Sequence, residues 1–211
     1  FAWGNRTTII NKSKELMQKM DNAPHVFCLT HQPNDLKRLF GFKHRTFNDT
    51  DLLYCIAFLK NHYQNNDSLE TAFFKDYQTG KRIDNVEGAL QHYQSYFMSM
   101  EDAPQRTRKH ISSPAAGSTC KRLNMFLRWM IRKDHTGVDF GIWESITPSE
   151  LIIPIDVHVA RIARTLGILT RPQTDWQAAL ELTAYCRTLD SKDPVKYDFA
   201  LFSLGVIEKF I

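Results

Sequence analysis

The stretch Ile153-Pro-Ile-Asp156-Val-His158-Val-Ala-Arg-Ile162-Ala-Arg-Thr-Leu-Gly167 decides how this chain folds. An apolar run stops at a carboxylate. Val159, Ile162, Ala163 and Leu166 then recur at three- and four-residue spacing, the mark of a helix with one apolar face. Asp156 is placed to cap that helix and Gly167 to end it. Upstream, Ala103 through Lys133 carries eight Lys or Arg residues and no Asp or Glu. A surface able to hold phosphate and an acid able to act on nucleic acid thus lie close along the chain.

Working outward, the helical period dominates and strand-like alternation is scarce, so the expected class is all-α. Ile9, Ile10, Leu16, Met17 and Met20 predict a first helix ending near Asp21, where Asn22, Ala23 and Pro24 interrupt it. A second opens after Asn48 and Asp49 and carries Leu52, Leu53, Ile56, Ala57 and Leu59. Asp84 and Glu87 read as a capping pair for a helix that turns Leu90, Tyr93, Phe97 and Met100 inward. After Pro114 a turn of small residues leads into a helix with Leu123, Phe126, Leu127 and Met130 as its apolar stripe. Val138 to Ile142 reads as a short extended piece and Pro148 to Leu151 as a helical turn. Thr174 or Asp175 starts one more helix, and Pro194 forms the first turn of a last one carrying Phe199 and Phe202.

The chain has 211 residues, 43% of them hydrophobic, enough for one compact domain or two lobes sharing a cleft. No repeat or linker marks a boundary, so 1–211 reads as a single all-helical unit. The net charge of +4 is modest, and local clustering says more than the total. Cys28, Cys55, Cys120 and Cys186 stand too far apart for a metal knuckle or a disulfide framework, so a reducing, cytoplasmic setting is expected. No two histidines lie three or four residues apart, and no metal site is expected. No apolar run is long enough to span a membrane, and no signal segment is visible. The chain starts at Phe1 rather than Met, which suggests a preceding N-terminal piece.

Within the basic segment, Arg106, Arg108 and Lys109 precede Ser113-Pro-Ala-Ala-Gly117, and Lys121 and Arg122 follow on the next helix. Small residues at such a turn let the amides of Gly117 and Ser118 approach a phosphate closely, a grip without sequence reading. The plainer alternatives stand beside this: Lys and Arg on solvated helix faces, Asp156 as an ordinary cap, Lys121 as an ordinary surface lysine.

These motifs together resemble the helix-hairpin-helix DNA glycosylase superfamily. Ser113-Pro-Ala-Ala-Gly117 is similar to its Pro-Gly-x-Gly hairpin, Ile153-Pro-Ile-Asp-Val-His158 to its Pro-Val-Asp-x-His segment, and Arg161 to Gly167 to the helix that follows. Ala115 replaces the hairpin's first glycine, and strict counting from the hairpin puts Thr119 where endonuclease III-like members place their lysine. The 35-residue interval from Lys121 to Asp156 is similar to that of the archaeal 8-oxoguanine glycosylase branch. The whole chain also resembles an uncharacterised bacterial family of that superfamily, through Asn5-Arg-Thr-Thr-Ile-Ile-Asn-Lys12 and Asp193-Pro-Val-Lys-Tyr-Asp-Phe-Ala-Leu-Phe202.

The resemblance implies helical lobes around a DNA-facing cleft, with a helix-hairpin-helix at about 104–133 and a catalytic-aspartate helix at about 154–168. It implies a monomer acting on double-stranded DNA with a flipped damaged base. Lys121 is the expected nucleophile and Asp156 the carboxylate that stabilises the sugar's developing charge or activates the amine. His158, Arg6, Arg108, Lys109 and Arg122 are expected at the DNA backbone, and Asn5 as the side chain that fills the vacated stack. Trp143, Asp198 and Phe202 are the expected base pocket. A monovalent cation at the carbonyls of Pro114 to Gly117 is known from that superfamily, and no other cofactor is implied. Two further readings survive: a glycosylase-fold DNA-binding protein without catalysis, and a helical protein-interaction scaffold.

Overall fold

Helix dominates, as the periodicity predicts, and side-chain caps fix where most helices begin. The computed structural model describes residues 1–74 and 83–206. In chain order its helices are α1 (Arg6–Lys19), α2 (Pro24–Thr30), α3 (Asp49–Tyr63), α4 (Glu70–Phe74), α5 (Glu87–Phe97), α6 (Lys121–Ile131), α7 (Val157–Thr165), α8 (Trp176–Leu189) and α9 (Asp198–Val206). Short 3-10 turns at Asp35–Leu39, Gln105–His110, Pro114–Ala116, Pro148–Glu150 and Pro194–Tyr197 join them. Strands β1 (Lys43–His44) and β2 (Phe47–Asn48) form an antiparallel hairpin in which Lys43 faces Asn48 and His44 faces Phe47. Among the described residues no helix is long and apolar enough to cross a membrane.

Asn5 caps α1 through the amides of Thr7 and Thr8, and Asp175 caps α8 through that of Ala178. Asn48 and Asp51 form a reciprocal box at α3. The start of α5 departs from expectation: the Glu87 amide donates to Asn85 at 2.8 Å, so Asn85 supplies the oxygen expected of Asp84. Helix α2 was not foreseen. Pro24 sits at its first turn, where a missing N–H costs nothing, and so begins a helix rather than only ending one.

The chain divides into two compact units. Unit 1 comprises Phe1–Ala72 and Ser95–Ile111, and unit 2 the described parts of Phe73–Gln94 and Ser112–Ile211. In unit 1, Leu39, Phe42, Leu52 and Ile56 are buried together with Phe27 and Cys28. Phe58 meets Phe97 with ring centroids 4.8 Å apart, and the Tyr54 hydroxyl donates to the Phe97 carbonyl. In unit 2 the run Leu151 to Ile155 is fully buried, with the Ile153 amide donating to Thr183 Oγ1 at 3.1 Å. This buried run delivers Asp156 to the unit's surface.

Helix α6 buries Asn124, Leu127, Arg128 and Ile131, while Leu123, Phe126 and Met130 are only half-buried. The inward face is therefore rotated from the purely apolar stripe that the sequence suggests. Leu166 is likewise 45% exposed, outside the α7 face formed by Val159, Ile162 and Ala163. Helices α7 and α9 pack at Gly205, where an added Cβ would lie 3.1 Å from His158 Cβ and 3.2 Å from Ile162 Cγ1.

Candidate functional site

Two helix starts in unit 2 bring a lysine and a carboxylate into contact. Lys121 is the first residue of α6, and its Nζ donates to Asp156 Oδ2 at 2.9 Å. The other carboxylate oxygen, Oδ1, accepts the amides of His158 and Val159, each at 2.9 Å, and so caps α7. The side chains remain 34% and 14% exposed. Partial burial pushes the Asp156 carboxyl up. The Val159 amide, the Lys121 ammonium and the His158 amide outweigh it and hold the group below its usual range.

The turn before α6 has the form its small residues suggest. Ser113 Oγ accepts the Ala115 amide at 3.3 Å, Gly117 adopts φ +73°, and Ala115 to Gly117 are exposed. Cys120 follows at φ +50°, and α6 starts with no side-chain cap on its amides. The carbonyls of Ser113, Pro114 and Gly117 accept the amides of Ala116, Gly117 and Trp176. Those of Ser118 and Thr119 accept Cys120 Sγ and Asn124 Nδ2. Of the carbonyls from Pro114 to Gly117, where the cation is expected, those of Pro114 and Gly117 are thus engaged, and no step below uses a cation.

Below the pair lies a charge network. Arg128, 2% exposed at its side chain, donates to Asp198 at 2.7 Å and to Asp139 at 3.1 Å. Arg132 bonds the same Asp139 at 2.7 Å and Asp193 at 2.8 Å. The Arg128 guanidinium also lies 4.0 Å from the Phe199 ring centroid. Burial pushes the Asp198 carboxyl up to about 6 against the pull of Arg128, with the Asp156 charge adding to the rise and Lys121 opposing it. Lys121 thus lowers both carboxyls, yet their net shifts are opposite, downward for Asp156 and upward for the more deeply buried Asp198.

The other expected residues fall in three places. His158 and Phe202 are exposed near the pair, their ring centroids 6.4 Å apart, and Asp198 joins them through its charge. Arg122 is half-buried beside Lys121, and burial lowers its guanidinium pKa. Trp143 is a buried ring packed 5.3 Å from Phe126 and 5.7 Å from Phe73, a core contact rather than an open pocket wall. Asn5, Arg6, Arg108 and Lys109 belong to unit 1, all exposed, with the Asn5 oxygen engaged as a cap. Arg106 is exposed too, but its guanidinium is bonded to Asn48, Asp51 and the Thr46 carbonyl. Residues 104–133 also lack a first α-helix, the segment before the turn being the 3-10 turn Gln105–His110.

Asn124, Arg128 and Asp139 were missed by the sequence reading. Their signal was present, because Asn124 and Arg128 share a face with Leu127 and Ile131 at helical spacing. Among the described residues no group of three or more metal-ligating side chains occurs, and the four cysteines are free. The sequence matches, over residues 1–207, the model of a family described as Protein of unknown function (DUF2400). The chain belongs to this family. No curated protein and no solved structure matches.

Proposed function

We propose that this member of the DUF2400 family is a DNA glycosylase with an associated lyase step, built on a helix-hairpin-helix glycosylase-like fold. The 2.9 Å contact between Lys121 Nζ and Asp156 Oδ2, partly exposed at the start of α6 just after the small-residue turn Pro114–Ala116, carries the reading. As an ion pair the lysine is an ammonium, so the reaction begins by passing a proton to Asp156, the carboxylate in contact with it. The freed amine attacks C1′ of the flipped nucleotide, the N-glycosidic bond breaks with its electron pair going to the base, and a proton neutralises the departing base. Loss of the ring oxygen bond gives a Schiff base on Lys121. Removal of a C2′ proton then expels the 3′ phosphate by β-elimination.

Asp156 also opposes the positive charge that builds on the sugar. Asp198, which holds a proton to higher pH than Asp156, is assigned the exchange of a proton with the departing base, and Phe202 a part in the base pocket. The Gly117 amide is held by the Pro114 carbonyl, so the Ser118 amide and the start of α6, which has no side-chain cap, are the groups that suit a phosphate oxygen. Single-lesion duplexes incubated with borohydride test the proposal. A covalent adduct is expected on one or more lesions, lost in Lys121→Gln, with base release lost in Asp156→Asn. No release and no adduct on any lesion overturns it.

A further inference from the structure

A second charged feature lies wholly within unit 1, where three distant segments are tied together. His44 Nε2 donates to the Trp3 carbonyl at 3.1 Å, and the Trp3 ring lies 6.0 Å from that of His110. Arg106, from the same 3-10 turn as His110, donates to the Thr46 carbonyl at 3.2 Å. The chain start, the β1–β2 hairpin and the turn Gln105–His110 are thereby held side by side. The acids here are consumed internally: Asp51 accepts from Arg106 and Thr107, and Asp49 from the amides of Gly41 and Thr50. The cations are not. Arg6, Lys43, Arg45, Arg108 and Lys109 are exposed, and among the described residues no hydrogen bond or ion pair engages their side chains.

Arg45 is the cation that the backbone is bent to supply. Among the described residues Asp21, Asn22, Arg45 and Cys120 are the non-glycine positions with positive φ. Asp and Asn tolerate that region, and Cys120 forms the approach to Lys121. Arg45, at φ +55°, stands at the apex of a two-residue hairpin turn, where glycine or asparagine would be relaxed. Strain retained at such a place points to a use for the side chain. The side chain is also seated. A Cβ at Gly4 would lie 3.0 Å from Arg45 Nη1 and 3.3 Å from its Cδ, so the bare glycine makes room for the arginine beside Asn5 and Arg6.

We infer that this edge of unit 1 is a binding surface for the phosphate backbone of duplex DNA, with Arg45 its fixed contact. The choice of partner rests on the function proposed above, but the surface uses no residue of the Lys121–Asp156 pair. A guanidinium fork matches two oxygens of one phosphate. Several unpaired cations on adjoining segments suit a ligand with repeated negative charge better than a single anion.

The test is fluorescence anisotropy on an undamaged duplex over a range of salt, using the full chain carrying Asp156→Asn so that no turnover intervenes. Arg45→Gly keeps the turn and removes the cation, so the fold should hold with an equal or higher Tm. Affinity should fall about fivefold, and the slope of log affinity against log salt should become shallower by about one. Lys37→Gln, which removes an exposed cation of the turn Asp35–Leu39, outside these three segments, should leave both unchanged. Failure of the parent to bind, an unchanged affinity and slope in Arg45→Gly, or an equal loss in Lys37→Gln overturns the surface. Borohydride trapping by the protein with Asp156 intact decides the chemistry separately. No trapping with Arg45-dependent binding keeps the surface and discards the enzyme, and trapping with Arg45-independent binding does the reverse.

Discussion

At the scale of single residues, Asp156 carries two tasks that substitution can separate. One oxygen caps α7 and the other meets Lys121. Asparagine caps as well as aspartate, whereas alanine at a cap costs about 1 kcal/mol. Asp156→Asn is therefore expected to unfold in urea within a few tenths of a kcal/mol (~0.3) of the parent and Asp156→Ala about 1 kcal/mol earlier, with both failing to release base. Asparagine that preserves base release would leave Asp156 a cap and nothing more. Asp198 offers a pH test. Its carboxyl moves from an ordinary 3.8 to about 6, so the folded state holds the proton more tightly than the unfolded chain. The stability this contributes is complete below 3.8 and lost as pH rises through about 6. Asp175 and Asp190, held at about 2 by Arg171 and Lys196, contribute in the opposite sense, losing stability as pH falls toward 2. Those effects cancel when Asp198→Asn is compared with its parent at each pH. The variant should gain on the parent by up to about 3 kcal/mol between pH 4 and 7. A difference that stays flat across that window contradicts the assigned environment.

Among the elements, the α7–α9 contact is the tightest constraint on the site. Gly205 leaves no room for a methyl group: His158 Cβ, Ile162 Cγ1 and the His158 carbonyl lie 3.1, 3.2 and 3.3 Å from where one would sit. Arg161 adds a hydrogen bond to the Gly205 carbonyl at 2.8 Å. Gly205→Ala gains about 1 kcal/mol of helix propensity but overpacks a contact, which costs about 1–3 kcal/mol. A net loss near 1 kcal/mol is expected, and trapping should weaken because His158 and Asp156 share the displaced helix start. A more stable variant with full trapping would show that α9 yields freely. Helix α7 was legible in the sequence because its cap, its spacing and its terminal glycine all agree. Helix α6 was legible in position but not in orientation. Leu123, Phe126, Leu127 and Met130 make an apolar stripe, yet Asn124 and Arg128 face inward because Thr119, Asp139 and Asp198 receive them. Those partners come from elsewhere in the fold, which periodicity alone does not report. The β1–β2 hairpin has two residues per strand, too few for alternation to register.

Across the whole molecule, the basic stretch from Ala103 to Lys133 divides into charges paired with carboxylates of the fold and charges left exposed to solvent, a division that sequence does not display. Arg106, Arg128 and Arg132 are bound to Asp51, Asp139, Asp193 and Asp198, whereas Arg108, Lys109 and Lys133 are exposed. Identical residue types in one segment should consequently answer differently to removal. Lys109→Gln is expected to leave Tm within about 1 °C while making the salt dependence of duplex binding shallower by about one unit of slope. Arg128→Gln strands Asp139 and Asp198 around a buried site that still needs positive charge, and breaking a buried pair costs about 3–5 kcal/mol. Its Tm should fall by about 10 °C or more in a domain of this size, with the slope unchanged wherever the protein remains folded. Thermal melts and salt titrations of the two variants, run side by side, measure both quantities. A lower slope in Arg128→Gln without loss of Tm would mean that the arginine reaches DNA rather than the carboxylates, and the internal network would have to be redrawn.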